Sequence, residues 1–174
     1  MNISQLETCI DEYGKDIYAF CRYITKDVSE AEELYQDTFL KAMEILLRIE
    51  YESNPKSYLL SIALRLWKNQ NRKKAWRMRI APTENLTEER IRDFESGNMI
   101  EDTILIREQR DFVRKQVEML EEKYRIPIYL FYTEQLTVEV IGKILKLPTG
   151  TVKSRLHKAR KILKKELEVV INEK

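Results

Sequence analysis

Lys153, Ser154, His157 and Lys158 place four hydrogen-bonding side chains within two turns of one helix. At about 100° per residue they fall away from Val152, Leu156, Ala159 and Leu163, which form an apolar stripe. A helix with an apolar back and a donor-rich front suits the DNA major groove, where base edges carry a readable pattern of donors and acceptors. From Lys143 to Lys165 the chain carries nine Lys or Arg and no Asp or Glu. A face that is only solvated mixes its signs to gain i,i+4 pairs, so a tract of one sign points to a polyanion.

Two short helices meeting at a tight turn must hold this face. Val138, Ile141, Ile144 and Leu145 recur at helical spacing on the first. Thr137 is its expected N-cap, because a hydroxyl there can accept from an orphan backbone N–H. Pro148 stops that helix and Thr149-Gly150-Thr151 opens the second.

A second cationic surface lies earlier. Between residues 53 and 83 there are eight bases and no acid. On a helix here Leu59, Ile62, Ala63 and Leu66 face inward, and Arg65, Lys68, Asn69, Arg72 and Lys73 lie away from them. Trp67 and Trp76 are interleaved with the bases. Cations neutralise phosphates while aromatic faces stack on unpaired bases, so this surface suits separated strands. For Trp67 a place in the core is an equal alternative. The two basic surfaces flank an acidic stretch, residues 84–102, with seven acids and two bases. Residues 1–52 are acidic as well, with twelve acids against five bases, which leaves that surface for protein partners.

The 174 residues allow one domain or two small ones, and 43% apolar content is enough for packed cores. Few Gly and Pro, together with a mean hydropathy of −0.49, predict a soluble and mostly helical chain. Capping boxes at Ser4/Glu7 and Ser29/Glu32 predict two helix starts, and Asn54-Pro55 a third. The first helix is expected to run to about Ile24 with Ile10, Tyr13, Ile17 and Phe20 inward. The second places Ala31, Leu34, Phe39, Ala42, Met43 and Leu46 on or near one side. Residues 1–80 then form a three-helix domain, 81–100 a flexible acidic linker, and 101–174 a second helical domain. That second domain has a long helix from about Glu101 to Leu120 and a short one near Arg125 to Thr133. The run Ile126-Pro127-Ile128-Tyr129-Leu130-Phe131-Tyr132 has strand propensity but no partner strand. The expected fold class is all-α.

No basic start followed by an apolar run opens the chain, and no apolar run is long enough to span a bilayer, so cytoplasmic residence without membrane insertion is expected. Cys9 and Cys21 form no CxxC pair and the single histidine is distant, which argues against zinc and for packed, reduced thiols. With no Gly-rich phosphate loop and no clustered metal ligands, neither a cofactor nor enzymatic activity is expected.

Three segments in order carry a family resemblance. AEELYQDTFLKA, from Ala31 to Ala42, resembles the core-polymerase-binding part of region 2 in sigma-70-type initiation factors. NPKSYLLSIALRLWKNQNRKK, from Asn54 to Lys74, is similar to the part that melts and reads the −10 element. LTVEVIGKILKLPTGTVKSRLHKARKIL resembles region 4, which reads the −35 element. The absence of room for further domains between them is similar to the extracytoplasmic-function (ECF) group. Two residues depart from the pattern: Gly142 where the family usually has Ala, and Lys146 where the turn usually has Gly. Arg65 and Asn69 stand where Asn and Asp are common, so a promoter preference does not carry over.

The resemblance implies that Glu33, Gln36 and Asp37 grip the β′ coiled coil of RNA polymerase core. It implies that Arg65, Lys68, Asn69, Arg72 and Lys73 bind the −10 region, and that the loop from Ile49 to Lys56 holds a flipped base. Lys153, Ser154, His157 and Lys158 would face the −35 groove, with Arg155, Arg160 and Lys161 on phosphates, which fix register without reading sequence. Residues Ile128 to Phe131 are expected in the core, with the β flap as the alternative use. The implied partners are core polymerase, promoter DNA and, as a further class, an anti-sigma factor. A free-standing helix-turn-helix regulator is the competing function; the second basic helix argues against it.

Overall fold

In a computed structural model, residues 1–46, 54–80 and 104–172 are described, with side-chain surroundings given for all of these but 104–109 and 169–172. The expected linker and most of the loop starting at Ile49 lie outside them. Seven helices make up the described chain: α1 (Ile3–Thr25), α2 (Val28–Glu44), α3 (Pro55–Ile80), α4 (Ile104–Met119), α5 (Glu122–Tyr132), α6 (Val138–Leu145) and α7 (Thr149–Asn172). No strand occurs among the described residues; the apolar run of residues 126–132 is part of α5 and contains Pro127. The chain divides into two compact units, Met1–Asp93 and Phe94–Lys174.

In the first unit α1, α2 and α3 each pack on the other two. Leu6, Ile17, Phe20, Leu34, Leu59 and Leu60 are almost wholly buried between them. Both cysteines are free and fully buried on α1. Ile10 and Met43 were expected inward but are exposed: Met43 lies about 40° past the edge of the buried stripe of α2, whereas Ile10 falls within the angular span of that of α1.

Two helix starts lie earlier than expected. Asn2 caps α1 in a reciprocal box with Gln5: Gln5 N–H donates to Asn2 Oδ1 at 2.8 Å and Asn2 N–H to Gln5 Oε1 at 2.9 Å. Asp27 caps α2, accepting from Glu30 N–H at 2.8 Å. Asn and Asp cap as well as Ser does, so the first competent residue upstream took the position from Ser4 and Ser29. Asn54 does open α3, its Oδ1 accepting from Ser57 N–H at 2.9 Å. Two ion pairs brace α3 against its neighbours, Lys56 to Asp16 and Lys74 to Glu30.

In the second unit α7 packs against α4, α5 and α6. Leu130, Ile141, Val152 and Ala159 are fully buried there. Ile128 is also buried and Phe131 half-buried, so most of this apolar segment serves the core.

Candidate nucleic-acid interface

The turn between α6 and α7 sets the geometry of the C-terminal surface. Thr137 Oγ1 accepts from Val140 N–H at 3.4 Å and starts α6. The helix ends in a Schellman motif: Leu147 N–H donates to Gly142 C=O at 2.9 Å and Lys146 N–H to Lys143 C=O at 3.4 Å. Lys146 is left-handed, with φ 55° and ψ 48°, a conformation that costs a side-chain-bearing residue about 1–2 kcal/mol. Gly142 explains itself: a Cβ there would stand 2.9 Å from the Leu147 carbonyl oxygen. The two departures from the family pattern thus sit in one motif. Pro148 C=O then accepts from Thr151 N–H at 2.9 Å and starts α7.

Along α7, Val152, Leu156 and Ala159 are buried, and Lys153, Ser154, His157, Lys158, Arg160 and Lys161 are exposed. Ser154, His157 and Lys161 follow at i, i+3 and i+7, so they share the centre line of the exposed face. Sequence reading had put Lys161 with the phosphate-holding side chains; its position is central. The Ser154 hydroxyl donates to Thr151 C=O at 2.9 Å, which leaves its lone pairs facing outward. Lys153 and Lys158 are the shoulders. Glu139 is held below the usual carboxylate range by its own backbone N–H, by Thr137 and by the nearby charge of Lys153. Lys158 Nζ lies 5.6 Å from the Tyr124 ring centre, within cation–π reach.

Arg155 and Arg160 flank the buried stripe on opposite sides. Arg155 is half-buried. Arg160 is fixed from α5: its Nε donates to the Tyr132 hydroxyl at 2.8 Å, and its guanidinium lies 5.5 Å from the Phe131 ring and 5.7 Å from that of Tyr132.

In the first unit, Arg65, Lys68, Arg72 and Lys73 are exposed and Asn69 is half-buried. Asn69 Oδ1 accepts from an Arg72 guanidinium nitrogen at 3.1 Å, so the two act as one group. Trp67 is 7% exposed and belongs to the core, whereas Trp76 is 64% exposed. The stacking role suggested for both aromatics is therefore open only to Trp76. Leu64 is buried as well, and Leu66 is half-buried.

On α2, Glu33 and Gln36 are exposed, while Asp37 is half-buried and accepts from Gln70 Nε2 of α3 at 3.4 Å. Leu40 and Met43, 58% and 53% exposed, continue the same face at i, i+3, i+4 and i+7 from these residues. Sequence reading missed both as surface groups. The signal was their displacement from Ala31, Leu34 and Ala42, the residues that define the buried side. Among the described residues no group of three His, Cys, Asp or Glu could hold a metal ion, and no helix is long and apolar enough to cross a membrane.

Comparison with known proteins gives this geometry a family. The profile of Sigma-70 region 2 matches residues 9–77, and that of Sigma-70 region 4 matches residues 113–163. The chain is 32% identical over 164 residues to the ECF RNA polymerase sigma factor SigW of Bacillus subtilis, covering 91% of this chain and 86% of the relative. It is 27% identical to SigX of the same organism over 167 residues, 94% of this chain and 84% of that one. Among solved structures it resembles the sigma factor RpoE of Bartonella quintana, seen in complex with the anti-sigma factor NepR. The TM-score is 0.77 at 23% identity, covering 96% of this chain and 99% of that one. Matched in both regions by the family's profiles, and along most of its length by a relative of this group, the chain belongs to the extracytoplasmic-function sigma factors of the sigma-70 family, promoter-specificity subunits of RNA polymerase.

Proposed function

We propose that the two units divide the work of promoter recognition. Residues 1–80 bind core polymerase through α2 and the −10 element through α3. Residues 101–174 read the −35 element through α7, and residues 81–100 connect the two. The observation that carries this reading is the pair of exposed cationic helix faces in separate units of one chain, one on α3 and one on α7. A single recognition helix would serve an ordinary regulator; two, mounted separately, suit two elements whose spacing core polymerase fixes, which raises their effective concentration on one promoter.

On α7, Ser154, His157, Lys153 and Lys158 face base edges, with Lys161 on their centre line, and Arg155 and Arg160 hold phosphates. On α3, Arg65, Lys68, Asn69, Arg72 and Lys73 contact the −10 region. On α2, Glu33, Gln36 and Asp37, extended by Leu40 and Met43, meet the β′ coiled coil. The protein works without catalysis of its own, in the cytoplasm with its polymerase. The complex of RpoE with NepR supports an anti-sigma factor as a further partner class.

Run-off transcription with core polymerase across a genomic promoter library tests the whole, with permanganate footprinting of unpaired thymines alongside. Lys158→Ala should relax preference at one or two −35 positions, and the pair Arg72→Ala and Lys73→Ala should reduce melting on every promoter alike. Normal melting by the double variant removes α3 from the −10 assignment. Unchanged −35 preference removes Lys158 from the base-reading set. Tight, specific DNA binding by the free chain would argue for independent regulation instead.

A further inference from the structure

Trp76 is 64% exposed, an unusual state for so large an apolar ring. It lies beyond the packed part of α3: from Arg72 to Ile80 every side chain is exposed, so no core element competes for the indole. Its angular position is more telling than its exposure. Arg65, Asn69, Arg72, Trp76 and Arg79 recur at intervals of four, three, four and three, which keeps them on one line along a helix. That line is opposite the buried Leu59, Ala63 and Trp67.

The cations on the line are available. Among the described residues no carboxylate pairs with Arg65, Arg72 or Arg79. Lys74, on the other side of the helix, is by contrast held by Glu30 at 2.6 Å. Arg72 is oriented along the line by its 3.1 Å bond with Asn69. From Arg72 to Arg79 the helix advances about 10 Å, close to three nucleotides of a stacked strand at about 3.4 Å each.

An exposed ring between two guanidinium groups on a line matches the repeating unit of a separated strand. A base stacks on the ring while phosphates on either side meet the cations. Intact duplex offers no free base face, and a protein partner for so cationic a strip would gain little from Trp76. We infer that Trp76 is a stacking platform for an unpaired base of single-stranded DNA, set between phosphate contacts at Arg72 and Arg79. This rests on the reading of α3 as the −10 contact and adds a ligand site to it.

The test uses the complete chain and fluorescence anisotropy of a labelled oligodeoxythymidylate of about 16 nucleotides, with a mixed-sequence duplex of equal length as the second probe. Trp76→Ala should weaken single-strand binding about tenfold, leave duplex binding within about twofold, and keep the wild-type salt slope, because stacking releases no counterion. Trp76→Phe should restore most of the loss. Arg72→Ala should weaken both probes and reduce the salt slope by about one. If Trp76→Ala binds the single strand like wild type while Arg72→Ala is impaired, the stacking site is wrong and the reading of α3 stands. If neither variant changes either probe, the reading of α3 fails with it. A core-polymerase pull-down that loses Trp76→Ala, with single-strand binding intact, would put the indole in a protein interface and overturn the inference. Trp76 is mostly exposed, so matching melting curves are expected and confirm that each variant is folded.

Discussion

The hydroxyl of Tyr132 accepts a 2.8 Å hydrogen bond from Arg160 Nε and so ties α5 to α7. The guanidinium is thereby held in place, so under the proposed phosphate contact less of its freedom remains to be lost on binding. Tyr132→Phe should cost less than about 1 kcal/mol of stability, because the bond is exposed. It should nevertheless weaken −35 binding about two- to threefold, and Arg160→Ala should do more, reducing the salt slope by about one. Holoenzyme titrations of promoter DNA over a salt series measure both. Equal salt slopes for Arg160→Ala and wild type would take Arg160 off the phosphates.

Gly142 should behave against propensity. Ala is better than Gly in a helix by about 1 kcal/mol, yet Gly142→Ala puts a methyl 2.9 Å from a backbone oxygen that cannot swing away. The variant should lose about 1–3 kcal/mol, the usual cost of overpacking. Lys146→Gly should gain about 0.5–1 kcal/mol by relieving the left-handed turn, less than the full strain because glycine also frees the unfolded chain. Thermal melts read both signs, and a stabilised Gly142→Ala would contradict the close approach.

The side of α2 proposed to face polymerase should separate binding from folding. Gln36→Lys and Leu40→Glu alter exposed side chains, so core affinity should fall at least about tenfold while the melting temperature holds. Asp37→Lys should lower both, since it also removes the acceptor of Gln70 at a cost of about 1 kcal/mol. A core pull-down with parallel circular dichroism decides. Undiminished affinity in the first two variants would exclude this face.

The thiols give a pH signature. Burial pushes Cys21 up to about 12, and burial, reinforced by Glu12, also raises Cys9. Their folded values exceed the ordinary thiol value of 9.0, so the stability each contributes is fully present below that pH. It is lost as pH rises through the folded value, because the unfolded chain gains by ionising first. Native protein at pH 8 should therefore react with a thiol reagent only at the rate of unfolding, and Cys21→Ser should melt with a weaker alkaline decline. Rapid native labelling of either thiol would contradict this.

Helix number and order were legible because each helix has an apolar stripe of clear period and most have a start residue. What escaped was decided by neighbours. Asn2 and Asp27 took the caps because the chain upstream was free to enter the helix earlier. Met43 read as core by type, but only the packing of α2 on its neighbours fixes where its stripe ends. Trp67 and Trp76 are the same residue on the same helix and differ because α3 outruns its partners. Which side chains of α7 are exposed was nearly complete from periodicity alone; the bracing of Arg160 by Tyr132 required a contact across 28 positions that no local pattern encodes.

That overhang of α3 carries a thermodynamic consequence. Beyond Lys74, which Glu30 still ties to α2, the helix turns gain little from burial and persist largely by propagation, whose equilibrium constant per residue is near one. Amide exchange protection should decline from Lys74 to Ile80, with the last turns opening far below the global unfolding free energy. A strand bound along this segment must hold it in register, so ordering of the helix end is part of the binding equilibrium. Affinity there should weaken on warming more steeply than its contacts alone imply, giving promoter opening a temperature dependence set by helix melting as well as by the DNA.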